Sequence, residues 1–166
     1  VIGTVSMYEN ISDENSSTPV FELITNFWQD IYIVGSSQRH GASAIAFIDL
    51  DGDNDLDLAW GDYYQQSLYV IWNIGDINNP IMDINNIDTQ YPPGNPIVTA
   101  GLNMPSSSDI NLNGAKDLFI TVLSGSYGFQ LINNFYFYEN VPTITLCCGL
   151  LYHYVEHVKK VQEQYY

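Results

Sequence analysis

Asp49-Leu50-Asp51-Gly52-Asp53-Asn54-Asp55-Leu56-Asp57-Leu58-Ala59-Trp60-Gly61 carries aspartate at five alternate positions, Asp49, Asp51, Asp53, Asp55 and Asp57. Carboxylates crowded this way repel: at about 4 Å a pair costs roughly 1 kcal/mol in water and roughly 4 kcal/mol at a surface-like dielectric. A cation removes that cost. Ca²⁺ suits such a loop because it takes about 6–8 hard oxygen ligands from carboxylates, carbonyls and water. Gly52 sits where the chain must turn sharply to aim successive side chains at one point, a backbone that glycine tolerates. The expected ligands are the side chains of Asp49, Asp51, Asp53 and Asp57 and the backbone carbonyl of Asp55.

An EF-hand also opens with alternating acids, but it needs a bidentate Glu at its twelfth position and a helix on each side. Counted from Asp49, the twelfth residue is Trp60. The flanks, Ala44-Ile45-Ala46-Phe47-Ile48 and Leu56-Asp57-Leu58-Ala59-Trp60, are short and apolar or alternating, as strands are. A strand–loop–strand calcium site fits better.

The pattern returns at Asp109-Ile110-Asn111-Leu112-Asn113-Gly114-Ala115-Lys116-Asp117. Asp109, Asn111, Asn113 and Asp117 take the places of Asp49, Asp51, Asp53 and Asp57, and Ala115 that of Asp55, at an offset of 109 − 49 = 60 residues. A second marker runs alongside. Met7-Tyr8-Glu9-Asn10-Ile11, Val70-Ile71-Trp72-Asn73-Ile74 and Phe137-Tyr138-Glu139-Asn140-Val141 each end an aromatic strand in Asn plus a β-branched residue, with Asn spacings of 63 and 67. Two independent markers with one period indicate an internal repeat.

Ala46 to Leu58, followed by Leu68-Tyr69-Val70-Ile71-Trp72-Asn73-Ile74-Gly75, resembles an FG-GAP/VCBS-type repeat. Such repeats build the calcium-loop β-propellers of integrin α-subunits and many secreted microbial proteins. The resemblance covers roughly residues 1–141. It is weaker at the second loop, where Ser106-Ser107-Ser108 stand in place of Ala46-Phe47-Ile48 and asparagines replace two carboxylates. It implies a fold and a metal, and it carries no enzyme chemistry.

The 166 residues suffice for one domain with a sizeable core. Charged residues are only 14%, so the polar surface must come from Asn, Ser, Thr, Gln and tyrosine tips. A net charge of −15 disfavours nucleic acid and anionic membranes as partners and favours cations. No apolar stretch reaches the ~18 residues that span a bilayer. Val1 is not an initiator methionine, which leads us to expect a processed chain or a fragment. Cys147 and Cys148 are adjacent and cannot staple distant strands, so calcium takes the place disulfides often hold in secreted domains. Asn10 and Asn15 begin glycosylation sequons.

In chain order, strands are expected at Thr4 to Tyr8 and Val20 to Thr25, then near 44–48, 56–60, 67–73 and 81–84. Gly35 to Gly41 reads as a loop whose Arg39 and His40 are solvated. Asn78 to Pro105, rich in Asn and Pro, reads as a long surface excursion. Binding often resides on such loops. Tyr63, Tyr64 and Tyr91 are therefore candidates for stacking on a ligand, while Trp72 is expected to pack between sheets. The tail breaks the repeat: Leu151, Val155, Val158, Val161 and Tyr165 form a helical stripe. It contains His153-Tyr154-Val155-Glu156-His157, an inverted zinc-protease signature, but only Glu163 remains downstream as a third ligand, so no catalytic zinc is expected.

The expected architecture is all-β: propeller-type repeats comprising a partial blade at 1–41 and blades at 42–100 and 101–141, with a helical tail at 142–166. That is about two to three blades, where a propeller closes with about four to eight, so the chain is expected to belong to a longer propeller or to assemble with copies of itself. The expected function is non-catalytic: an extracellular, calcium-dependent recognition or adhesion scaffold with a protein or carbohydrate ligand at its loops. The alternatives are a self-assembling subunit of an extracellular filament and a non-catalytic segment of a larger secreted carbohydrate-active enzyme.

Overall fold

The computed structural model describes residues 3–33, 43–63, 66–99, 101–123, 134–141 and 159–161. Strands β1 (Gly3–Thr4), β2 (Met7–Asn10), β3 (Phe21–Thr25) and β4 (Tyr32–Ile33) come first, with a 3₁₀ turn at Trp28–Asp30. β5 (Ser43–Ile48), β6 (Asp57–Asp62) and β7 (Tyr69–Ile71) follow, then β8 (Leu102–Ser108), β9 (Asp117–Leu123), β10 (Phe135–Glu139) and β11 (Lys159–Val161). The protein is all-β. Its four small antiparallel sheets are β1–β4, β2–β3, β5–β6–β7 and β8–β9–β10–β11. The described residues do not form a closed propeller.

The middle sheet explains the stacking. Every residue of β6 is buried, so this strand has apolar neighbours on both faces. A strand's side chains alternate between faces. Leu58 and Trp60 therefore point one way, into a cluster with Val5, Ile31, Ile33, Ile71 and Met82. Ala59 points the other way and, with Ile48, Leu68 and Val70, meets Leu118, Ile120, Val122 and Tyr138 of the last sheet. The result is three layers with a core on each side of the middle one. Layers two and three touch closely at Gly61, where an added methyl would overlap the backbone carbonyl of Asn103. Asn103 is itself buried, accepting from the Thr99 hydroxyl at 2.8 Å and donating to the Gln66 carbonyl at 3.3 Å.

Most expected strands are present within a few residues, but three expectations need correction. The stretch Asn78 to Pro105 is not a surface excursion. Tyr91 and Ile97 lie in the core at 3 % and 1 % exposure, and β8 begins at Leu102. Proline and asparagine set the turns there, while apolar residues between them bury themselves. The segment near 81–84 contributes only a bridge, Asn73 to Met82, rather than a full strand. In the tail, Lys159–Val161 form a strand paired with β10, Phe137 opposite Val161 and Glu139 opposite Lys159, instead of part of a helix. An open sheet edge supplies a ladder of backbone partners, which outweighs the helical spacing of a few valines. The rest of the expected helix, with His153, Glu156 and His157, lies outside the described residues, as do Arg39, His40, Cys147 and Cys148. Among the described residues no helix is long and apolar enough to cross a membrane.

Candidate metal centre

The loop between β5 and β6 is folded by its own aspartates. The two Asp49 oxygens accept from the backbone N–H groups of Gly52 at 2.7 Å and Asn54 at 3.2 Å. Asp51 accepts from Asp53 N–H at 3.2 Å, and Asp53 from Asp55 N–H at 2.9 Å. Two left-handed residues, Gly52 (φ 82°) and Asn54 (φ 73°), wind the chain around a common centre. One carboxylate oxygen each from Asp49, Asp51 and Asp53 then lie within 4.8 Å of one another. Ligands on opposite sides of Ca²⁺, with bonds of about 2.4 Å, are about 5 Å apart. The three oxygens are thus spaced for one such ion.

Asp55 adds a feature the sequence did not reveal. The sequence pattern points only to its backbone carbonyl as a ligand. Its side chain is buried at 4 % exposure, and its Oδ1 has no hydrogen-bond partner. Burial raises the Asp55 carboxyl above its ordinary range, and the charges of Asp53 and Asp51 push the same way. Asp51 is also raised, chiefly by burial. A buried, unpaired carboxylate oxygen is costly unless a proton or a cation neutralises it. The donor set is entirely hard oxygen and fits calcium rather than a softer metal.

Asp57 has a different role. It opens β6, is almost fully buried, and each oxygen accepts one backbone N–H, from Leu50 at 3.0 Å and from Asn73 at 2.9 Å. It ties the loop to the end of β7 and lies outside the group formed by Asp49, Asp51 and Asp53. Asp117 makes the same pair of bonds, from Ile110 N–H at 3.1 Å and Asn140 N–H at 2.9 Å. The two periodic markers of the sequence are therefore partners in space: the aspartate closing each loop caps the amide of the asparagine ending the next aromatic strand. That amide bears no side-chain constraint, so sequence spacing alone could not connect the two.

The second loop repeats the fold without the charge. Asp109 accepts from Asn113 and Gly114 N–H, Asn111 from Asn113 N–H, and Asn113 from Ala115 N–H, all at 2.8–3.1 Å. Asn111 and Asn113 also donate through their amides, to Glu139 at 3.0 Å and the Asn140 carbonyl at 2.9 Å. Side-chain N–H groups here satisfy neighbouring oxygens, and Asp109 is the only carboxylate among the residues aligned with Asp49, Asp51 and Asp53. The left-handed positions recur at Leu112 (φ 57°) and Gly114 (φ 91°), 60 residues after Gly52 and Asn54. Leucine is strained in this conformation by about 1 kcal/mol, whereas asparagine adopts it readily. Leu112 is 86 % exposed and loses little packing when replaced. Leu112→Asn is expected to stabilise the protein by about 0.5–1 kcal/mol; an unchanged or lower denaturation midpoint would contradict this.

Other candidate positions are scattered. Asp49 and Lys116 line one small pocket together with Tyr91 and Tyr138. Tyr91 is packed edge-on to the Trp72 ring at 5.9 Å, so burial removes it from the ligand-stacking candidates, while Trp72 packs against the core as expected. Tyr63 is 39 % exposed, and Tyr64 lies outside the described residues. Asn10 and Asn15 are exposed, although the Asn10 side-chain Oδ1 accepts from Ser12 N–H at 3.1 Å. A cleft of about 320 Å³ missed by sequence reasoning opens between layers one and two, lined by Tyr32, Tyr69, Ile84, Asn85, Ile87 and Thr89. These residues come from three separate segments, and no local motif joins them. No protein-family model, curated protein or solved structure matches this chain.

Proposed function

We propose that the protein is a calcium-binding, non-catalytic β-repeat scaffold for recognition or adhesion outside cells, with Asp49, Asp51 and Asp53 holding the ion and the Asp55 carbonyl completing the loop's ligands. The observation that carries this reading is the convergence of three carboxylate oxygens, from Asp49, Asp51 and Asp53, within 4.8 Å; the next aspartate of the loop, Asp55, is buried with an unpartnered Oδ1. Millimolar free calcium outside cells would keep a site of moderate affinity filled. The neutral, tyrosine-lined cleft between layers supports a ligand-recognition role. A folded loop would act as a clamp that fixes β5 against β6 and so the layers on either side.

Calorimetric titration tests the metal. One calcium per chain is expected, with affinity lowered at least about tenfold by Asp53→Ala and unchanged by Asp109→Ala. Absence of binding at millimolar calcium, or equal weakening by both variants, would refute the assignment.

The pH dependence follows from burial. Desolvation pushes the Asp57 carboxyl up to about 6, and Asp51 and Asp55 are raised as well. A raised carboxyl favours folding most below its ordinary pKa of 3.8 and loses that contribution as pH rises through about 6. Of the carboxyls proposed to hold the ion, Asp51 is the raised one, so calcium neutralises a charge that burial disfavours there, and protons compete with it as pH falls toward the raised carboxyl range. The calcium-induced rise in melting temperature should therefore be larger at pH 7.5 than at pH 5. An equal rise at both would show that these carboxyls do not take part.

A further inference from the structure

The aromatic segments ending in Asn10, Asn73 and Asn140 share one sequence pattern, yet only two of them have a neighbour on both edges among the described residues. The N–H of Ile11 bonds to Val20 and that of Ile74 to Ile81, so strand alternation turns the Asn10 and Asn73 amides to the opposite edge. At that edge Asn73 meets Asp57, and Asn140 meets Asp117. β2 has no strand there among the described residues; its sheet is the two-stranded pair with β3.

The side chains show the same gap. Two residues before each asparagine stand Tyr8, Ile71 and Tyr138. Ile71 is 0 % and Tyr138 2 % exposed, whereas Tyr8 is 57 % exposed in a hairpin whose β2 is exposed along its whole length. Its cross-strand neighbours Phe21 and Leu23 are exposed too, at 59 % and 44 %. Apolar residues in such a hairpin form an uncovered surface that marks an interaction site.

We propose that the free edge of β2 is a docking site for a strand–loop–strand segment of this same repeat type, which would lie beside β2 in its sheet. The occupant is two strands joined by an Asp-rich turn, whose closing aspartate caps the Asn10 amide as Asp57 caps Asn73. Its second strand pairs with β2 by strand addition. The surface continues an interface already present twice in the molecule, β6 on β7 and β9 on β10, which defines the partner's chemistry. The inference does not depend on calcium, since the Asp117 contact forms beside a loop with only one carboxylate among its first three ligand-like positions.

Amide hydrogen exchange on the full chain is the first test. The Tyr8 and Asn10 amides should exchange at least about 100-fold faster than those of Ile71 and Asn73. A synthetic peptide of residues 43–62, or the same segment grafted upstream of Val1 through a Gly/Ser linker, should slow the first pair about 10- to 100-fold. Asp57→Ala in the added segment should abolish the protection at Asn10. The graft supplies a high local concentration where a free peptide orders too poorly to bind. Protection of Asn10 in the chain alone would overturn the proposal, because a segment of the chain would then already cover the edge. So would protection that grows with protein concentration, which would assign the surface to stacking of copies, or failure of both peptide and graft.

Discussion

Transfer from millimolar calcium to excess EDTA should lower the melting temperature by about 5–10 °C. A ligand at 100-fold excess over its dissociation constant stabilises the folded state by about 2.7 kcal/mol. For a chain of this size each kcal/mol corresponds to about 2–4 °C. Asp53→Ala separates calcium binding from loop folding. Asp53 is exposed, and the one backbone N–H it accepts, from Asp55, can turn to water. Its removal also relieves repulsion on Asp51 and Asp55. In EDTA the variant should therefore melt at or slightly above the parent temperature, and in calcium several degrees below it. Equal melting of the parent chain in EDTA and in calcium would end the calcium reading. A variant destabilised equally in both media would show that Asp53 serves the turn alone.

Gly61→Ala should cost about 3 kcal/mol or more and leave calcium affinity largely unchanged in whatever fraction remains folded. β6 and β8 approach so closely at this point that the new methyl would overlap the Asn103 carbonyl. Backbone is the obstacle, so no side-chain rotation relieves it, and overpacking of this kind typically costs 1–3 kcal/mol, occasionally more. The displaced strand would also disturb the buried Asn103 bonds with Thr99 and Gln66. Urea denaturation read by tryptophan fluorescence measures the effect, since Trp60 neighbours the site in sequence and is almost fully buried. A loss below about 0.5 kcal/mol would show that the layers separate easily, and would argue against a rigid stack.

The outcome also bears on the docking surface of β2. If layers two and three rely on close backbone contact, layer one, whose Tyr8 face is bare, is the least supported part of the chain. Its hairpin should then be the first region to open in denaturant, before β6 and β9.

The sequence by itself indicated most of the strands through residue 73, the two loops and their period, but not the bridge at Met82 or the strand at Lys159–Val161. Those features are local: alternation shows a half-buried strand, and five aspartates at every second position can only be tolerated around a centre of positive charge or in water. Asp49, Asp51 and Asp53 could be read for that reason. Tertiary structure distinguished aspartates that look alike in sequence. Asp57 looks identical to its neighbours in sequence, but the chain returns at Asn73 to take its carboxylate, a contact made by a backbone amide that has no residue-type signature. Asp55 is buried although its exposed neighbours Asp53 and Leu56 share the same loop, and Tyr91 is buried because a proline-rich segment folds inward rather than out. Only the fold reveals that Asn10, Asn73 and Asn140 differ in having a neighbour, because burial is a property of the partner strand and not of the residue.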